Sequence, residues 1–261
     1  LAQVSLLRGQ THYHMGEHEQ ARQELEHALS LVAKHPLTGV EARIELHLGN
    51  VYGAQANYDA SRPHLLRGLE ICKKNGDPMT ELLFYRSLGR IAFFRGDYSE
   101  ATTLYQRVLD GHKNFGARAG IGLLQNKLGA DLQQVGDYVH AREHYVSALD
   151  LLRDIGDLRI QGLATANLCL LSHQMNDNDA ALRYGEESLK LAQERNDRDS
   201  EAYVHNCLGH VWYALQDLTR AEEFYRHGYD LRIALGQPGP KLESLGGLAK
   251  IVLDKGDLST A

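Results

Sequence analysis

The sequence predicts an all-α protein built from stacked helical hairpins. A small residue recurs every 40 residues along the chain, a helix-breaking residue follows each at a fixed distance, and an amphipathic helical pattern follows each break. No insertion or deletion interrupts this spacing. An unbroken period of this length is typical of a repeat array, in which each unit packs on its neighbours.

The first helix of each unit carries the small residue, and the break ends that helix seven residues later. A left-handed residue at the break, followed by an Asp or Asn that accepts unpaired amide hydrogen bonds, predicts a tight turn into a second helix. The small residues are Gly9, Gly49, Gly89, Gly129, Cys169, Gly209 and Ala249. The breaks are Gly16, Ala56, Gly96, Gly136, Asn176, Gln216 and Gly256.

The second helix begins with a small residue that permits close helix crossing, and larger apolar residues follow on the same face. The small residues are Ala21, Ser61, Ala101, Ala141, Ala181, Ala221 and Ala261. The next positions on that face are Leu25, Leu65, Tyr105, Tyr145 and Tyr225. A second set of breaks ends these helices at Pro36, Gly76, Gly116, Gly156, Asn196 and Gly236.

These boundaries divide residues 1–261 into about six and a half units of one continuous array. The units cover residues 1–36, 37–76, 77–116, 117–156, 157–196, 197–236 and, in part, 237–261. The chain lacks an initiator Met and its last residues follow a helix start signal, so we expect a piece of a longer protein.

The composition excludes several classes of protein. With 28 Lys and Arg against 34 Asp and Glu, the chain has no excess of positive charge for a nucleic-acid backbone. Cys72, Cys169 and Cys207 are too few and too far apart for a disulfide framework, which favours a reducing, cytoplasmic setting. No apolar run is long enough to cross a bilayer, so we expect no membrane association.

The repeated pattern resembles the tetratricopeptide repeat. One copy shows it as Leu128-Gly129, Gly136-Asp-Tyr138, Ala141, Tyr145 and Ala148-Leu149. Units of this length resemble the sensor arrays of MalT-like and other STAND-type bacterial regulators, and also the LGN/Pins and kinesin light chain arrays. The resemblance implies a right-handed superhelical solenoid whose first helices line a concave groove, where a ligand or partner would bind.

Four positions on each first helix face the groove if that geometry holds, and eleven of their polar and aromatic members are the candidate binding residues. They are Arg43, Asn50, Arg86, Arg90, Asn126, Gln133, His173, Tyr203, Asn206, His210 and Tyr213. Glu243 is the one acidic residue at these positions, so the groove is more basic than the chain as a whole.

Arg86 and Arg90 lie one turn apart, where two guanidinium groups suit a carboxylate or phosphate on a ligand. The alternative is that both arginines pair with acidic side chains of neighbouring helices, such as Glu81. Asn50 and Asn126 suit a peptide backbone, because one amide both donates and accepts hydrogen bonds, but a structural use of each is as plausible.

Towards the other end, Tyr203, Asn206, His210, Tyr213 and His173 form a second polar and aromatic group. It suits a peptide or a small molecule. The alternative is a partly buried network between adjacent helices, which fits the intermediate burial typical of Tyr and His.

The sequence favours no catalytic or metal site and implies no cofactor. His140 and His144 have the spacing of two metal ligands but lack a third, and the order of residues differs from HExxH. Cys207 has histidines nearby along the helix, but this spacing does not assemble a nucleophile with its base. We therefore expect a non-enzymatic scaffold.

The favoured function is the peptide- or protein-binding sensor or interaction segment of a STAND-type regulator. A plain adaptor that holds a partner peptide or helix, like the LGN/Pins arrays, is the alternative. A small-molecule effector stays open as the ligand.

Overall fold

The computed structural model of the protein describes residues 1–34, 38–236 and 241–255. Every regular element in these ranges is an α-helix, which confirms the predicted all-α helical repeat. The helices are α1 Ala2–His14, α2 His18–Lys34, α3 Thr38–Ala54, α4 Tyr58–Asn75, α5 Pro78–Phe94, α6 Tyr98–Asn114, α7 Arg118–Gln134, α8 Tyr138–Ile155, α9 Leu158–Gln174, α10 Asn178–Glu194, α11 Arg198–Ala214, α12 Leu218–Ala234 and α13 Lys241–Asp254.

The helices fall into two compact units, each of which is described separately. Unit 1 covers residues 1–116 and contains α1–α6. Unit 2 covers residues 117–261 and contains α7–α13. The division follows Gly116, one of the predicted breaks between repeats, and the single continuous array stays a prediction.

The breaks within the described residues all adopt the left-handed conformation that the sequence predicts. This holds where the residue carries a side chain, as at Ala56, Asn176 and Gln216, whose φ angles are 56°, 61° and 63°. The predicted breaks at Pro36 and Gly256, and the small residue Ala261, lie outside the described residues. The 40-residue period therefore sets the turns even where the residue type alone would not.

Side-chain caps fix the starts of the helices that follow these turns. The capping oxygen accepts a hydrogen bond from the backbone amide three residues further on, which satisfies one of the unpaired amides of the first turn. The capping residues are Asn57, Asp77, Asp97, Asp137, Asp157, Asp177, Asp197 and Asp217. Helix α7 differs, because Ala117 occupies its N-cap and makes no side-chain bond there.

Each core is built where the two helices of a hairpin cross. The small residues from Ala21 to Ala221 in the predicted series are at most 2% exposed, so the helices approach closely. The glycine of the first helix faces the large residue of the second. A Cβ added at Gly129 would lie 2.7 Å from Cδ1 of Tyr145, and one added at Gly49 would lie 2.5 Å from Cδ2 of Leu65.

The first helices form the more closely spaced layer of each unit. They contact one another in the series α1, α3, α5 and in the series α7, α9, α11, α13. Short side chains span this layer, as from Asn126 to Asn167, whereas long ion pairs such as Arg153–Glu187 span the second helices. The surface presented by the first helices, called here the first-helix face, is where the sequence predicts binding.

Candidate functional site

The floor of the first-helix face is formed by half-buried residues, two from each of the first helices whose residues are named below, which make two rows in each unit. In unit 1 they are Gln10, Asn50 and Arg90, with Tyr13, Gly53 and Phe93 beside them. In unit 2 they are Ala130, Leu170 and His210, with Gln133, His173 and Tyr213 beside them. Six of the predicted binding residues therefore lie in these rows, partly accessible to a ligand.

Two of the predicted binding residues, Asn126 and Asn206, are instead buried between neighbouring first helices. Asn126 is 1% exposed and accepts a hydrogen bond from Nδ2 of Asn167 at 3.1 Å. Asn206 is fully buried; its Oδ1 accepts from the hydroxyl of Ser244 at 2.7 Å, and its Nδ2 donates to Glu243 at 3.3 Å. Both amides hold adjacent helices together, which is the structural use that the sequence left open.

The arginines of unit 1 lie on the first-helix face of α3 and α5. Arg43 is exposed, and Arg86 and Arg90 are half-buried. The Arg90 guanidinium lies 5.4 Å from the centre of the Phe94 ring, a cation–π distance. Burial, together with the charge of Arg86, lowers the pKa of His112. Both Arg86 and Arg90 also take part in further interactions within the protein.

A chain of hydrogen bonds fixes the amides at the start of unit 2. The Tyr145 hydroxyl donates to Oε1 of Gln133 at 2.7 Å, and Nε2 of Gln133 donates to Oε1 of Gln174 at 2.8 Å. Gln174 is exposed, and sequence analysis missed it. Its position one residue after His173, just before the turn, was the available signal. This series of hydrogen bonds orients two carboxamides on the first-helix face without burying either.

His210 is the centre of a second network in unit 2. The Tyr225 hydroxyl lies 2.7 Å from Nδ1 of His210, and Oε1 of Glu243 lies 3.3 Å from Nε2. The Tyr225 hydroxyl and the Glu243 carboxylate therefore hold the two ring nitrogens of His210 from opposite sides of the ring. The bond from His210 is the main cause of a lowered pKa for Glu243. The ring of His173 stacks on His210 at 6.3 Å between ring centres.

The two predicted binding tyrosines, Tyr203 and Tyr213, differ in their environment. Tyr203 packs beside the buried apolar residues of α9 and α11, and its pKa is raised well above the ordinary value by burial and by neighbouring Cys207. Tyr213 reaches across to α13, where its hydroxyl donates to Asp254 at 2.5 Å. Asp254 and Tyr225 were missed by sequence analysis, because their roles depend on which helices become neighbours.

The two histidines with metal-ligand spacing, His140 and His144, each contact another side chain. His140 contacts Asp137 at 2.8 Å, and His144 contacts Gln125 on α7. Within the described ranges, no group of three His, Cys, Asp or Glu side chains is arranged to hold a metal ion. A search of the same ranges found no helix with the length and apolar character that a bilayer span requires.

Two family models match the sequence. The tetratricopeptide repeat model matches residues 1–74 and 40–114, and the model of anaphase-promoting complex subunit 5 matches residues 130–218. No curated protein matches the sequence significantly.

Solved structures share the fold at low sequence identity. A Rap protein complexed with competence and sporulation factor is 14% identical, with a TM-score of 0.64 over 98% of this chain and 75% of its own. NprR in complex with its cognate peptide NprX is 16% identical, with a TM-score of 0.64 over 98% and 74%.

A third structure is a STAND protein with a tetratricopeptide repeat sensor from Pyrococcus horikoshii. It is 19% identical, with a TM-score of 0.59 over 97% of this chain and 39% of its own. The chain therefore has the tetratricopeptide-type helical-repeat fold, and residues 1–114 match the model of that repeat family.

Proposed function

We propose that the chain is a non-catalytic, cytoplasmic peptide- or protein-binding scaffold, the sensor or interaction segment of a bacterial STAND-type regulator. One observation carries the proposal: the oriented amides Gln133 and Gln174 on the first-helix face of unit 2. An extended peptide needs both donors and acceptors for its backbone, and a carboxamide supplies both. The imidazoles of His173 and His210 continue this polar surface along the next first helices.

Preorganisation adds to the argument from residue type. The Tyr145 hydroxyl holds Gln133, and Gln133 in turn holds Gln174, so less side-chain entropy is lost when a ligand binds. Most of the first-helix face stays partly accessible in both units. An array of this kind favours a long, extended ligand over a compact one.

The similar structures support the regulatory part of the proposal by analogy. One is a complex with competence and sporulation factor, another is a complex with a cognate peptide, and a third is a STAND protein with a tetratricopeptide repeat sensor. A signal would then act by favouring one arrangement of the repeats over another. A plain adaptor would bind its partner with no such coupling.

A second part of the proposal concerns an acidic or carboxylate group on the ligand. Arg43, Arg86 and Arg90 place three guanidinium groups on the first-helix face of unit 1. Arg86 and Arg90 already have interactions within the protein. An anion would therefore bind in addition to these contacts or replace them. Such binding weakens as salt rises, because the exposed charges become screened.

A peptide-library selection on the full chain tests the proposal. We expect selected peptides to bind the wild type, to bind Gln174→Ala about tenfold more weakly, and to bind Gln193→Ala equally well. Gln193 is a matched control, an exposed glutamine on α10 whose amide bonds to Glu201. Failure to select any peptide would overturn the proposal, and equal loss in both variants would remove Gln174 from the site.

The anion-binding part has its own measurement. Acidic or carboxylate-ended peptides should lose affinity for Arg86→Ala/Arg90→Ala, and the loss should shrink at high salt. Equal binding by the double variant at both salt concentrations would assign the two arginines a structural role.

A further inference from the structure

A recess opens on the first-helix face of unit 1, between α3 and α5. Gly49, Asn50 and Gly53 of α3 form one side, and Ser87, Arg90, Ile91 and Phe94 of α5 form the other, with Tyr58 at the turn. The recess has a volume of about 10 Å³, which is room for about one water molecule. The recess therefore accepts a single small group.

Gly53 is the reason that the recess exists. The same position in the other complete units is occupied by large side chains: Tyr13, Phe93, Gln133, His173 and Tyr213. A Cβ added at Gly53 would meet its nearest neighbours, Ser61 Oγ and Ile91 Cγ1, at 3.6 Å and 4.0 Å. These are ordinary contact distances, so helix packing does not require glycine here. Gly53 differs in this from Gly49, where a Cβ would lie 2.5 Å from Leu65.

The walls of the recess are chemically mixed. The Phe94 ring forms an apolar wall of the recess. The Arg90 guanidinium contacts this ring, 5.4 Å from its centre. Ile91 is a buried apolar residue of the lining, and half-buried Asn50 adds a carboxamide to it. The apolar part of the lining suits a methyl group, and the carboxamide suits the backbone amide of the residue that carries it.

We propose that this recess is a side-chain socket that selects a small residue, alanine or serine, in an extended peptide bound along the first-helix face. The socket rests on the proposed peptide-binding function and adds a rule for which peptides fit. Gly53 is the specificity-determining residue, because any larger side chain at this position occupies the space that the peptide side chain would enter. Asn50 holds the backbone of the peptide beside the socket.

The test combines a substitution in the protein with one in the peptide. Peptides selected on the full chain are scanned by replacing each alanine or serine with leucine, and affinities are measured for wild type, Gly53→Gln and Gly39→Gln. Gln133 shows that glutamine is tolerated at this position of the repeat. Gly39 is an exposed glycine of the same helix with no neighbour within 4 Å, so Gly39→Gln matches the gain in helix propensity.

We expect one peptide position at which leucine weakens binding to the wild type about tenfold or more, as an extra methylene or larger group does in a tight pocket. Gly53→Gln should bind the parent peptide more weakly by a similar factor, and leucine at that peptide position should weaken its binding no further. Gly39→Gln should behave as the wild type does. The effects of the two substitutions, one in the protein and one in the peptide, would then be coupled, because they would not add as they would if the two sites were independent. Gly53→Ala, which partly fills the space, should lie between the two.

Two results would overturn the socket in distinguishable ways. If peptides bind but Gly53→Gln shows no such coupling at any position, the socket is wrong and the peptide-binding function stands. If no peptide binds the wild type, the function and the socket fail together. Circular dichroism of each variant establishes that a loss of binding does not come from a loss of folding.

Discussion

In the fifth hairpin the sulfur of Cys169 lies 3.1 Å from the point where a Cβ on Gly185 would be. Elsewhere the first helix supplies glycine and the second supplies leucine or tyrosine, as for Gly129 and Tyr145. Here the larger residue is on the first helix and glycine is on the second. The exchange preserves the close crossing of α9 and α10, with Leu208 filling the space over Gly185.

This packing predicts a cost for any side chain at Gly185. Gly185→Ala would place a Cβ 2.5 Å from Cδ2 of the buried Leu208, and we expect the free energy of unfolding to fall by roughly 1–3 kcal/mol. Urea unfolding followed by circular dichroism measures the change. Gly246→Ala is the control: this exposed glycine of α13 has no neighbour within 4 Å, so the change should be neutral or stabilising. Equal effects at both positions would contradict the packing argument.

The uncapped start of α7 predicts a stabilising substitution. Ala117 has φ −83° and ψ 67°, close to the values of Asp137, which caps α8 at φ −81° and ψ 71°. Ala117→Asp should therefore place a carboxylate where it accepts an amide bond of the first turn, and stabilise unit 2 by about 1 kcal/mol. Asp137→Ala should destabilise by a similar amount. Thermal unfolding of the two variants checks both signs, and a neutral Ala117→Asp would be evidence against local capping.

Strain at a turn predicts a second stabilising change. Ala56, in the turn after α3, has a φ of 56°, a conformation that costs a residue with a Cβ about 1 kcal/mol relative to glycine. Ala56→Gly should recover part of this, although glycine also gains entropy in the unfolded chain. Gly96→Ala at the equivalent turn, with a φ of 83°, should show the opposite sign. The unfolding midpoints of Ala56→Gly and Gly96→Ala, each compared with the wild type, measure the two effects.

Buried His205 and half-buried His47 predict a loss of stability in acid. Burial, followed by the charge of Arg43, lowers the pKa of His47 to about 4, and burial, followed by His227, lowers that of His205 to about 4. Each ring is neutral in the folded state, and Gln10 donates to Nε2 of His47. The unfolded chain takes up protons below the ordinary pKa of 6.5, so stability is present above that pH and is lost as pH falls towards 4.

The expected loss is about 2 kcal/mol per histidine at about pH 5. His205→Gln should flatten this dependence, because glutamine does not titrate and is the residue at the equivalent position, Gln125. Urea unfolding across the acidic range measures the slope. An unchanged slope in His205→Gln would show that the ring is protonated, or already exposed, in the folded protein.

The helices and turns followed from the sequence because a strict period averages over single residues. Ala56 and Gln216 are poor helix breaks by residue type, yet their place in the 40-residue period predicted left-handed turns, and the structure has them. The N-caps were predicted in the same way. At the other described breaks, which are glycine or asparagine, residue type and register give the same prediction.

The candidate site could be predicted only in part. Helical spacing gives the direction of a side chain but not how closely the next first helix approaches. For this reason Asn126 and Asn206 were expected on the face but are buried between helices. The link from Tyr225 through His210 to Glu243 joins three helices, and nothing in the spacing along one helix indicates which residues of its neighbours lie opposite.

The bond from Tyr145 to Gln133 gives the protein an internal reporter. Tyr145 is 1% exposed, whereas the Gln133 carboxamide that accepts the hydrogen bond from its hydroxyl lies on the first-helix face. Any ligand that competes for the Gln133 carbonyl changes the hydrogen bond of a buried tyrosine. The hydroxyl-proton resonance of Tyr145 would then follow occupancy of the face without an added dye.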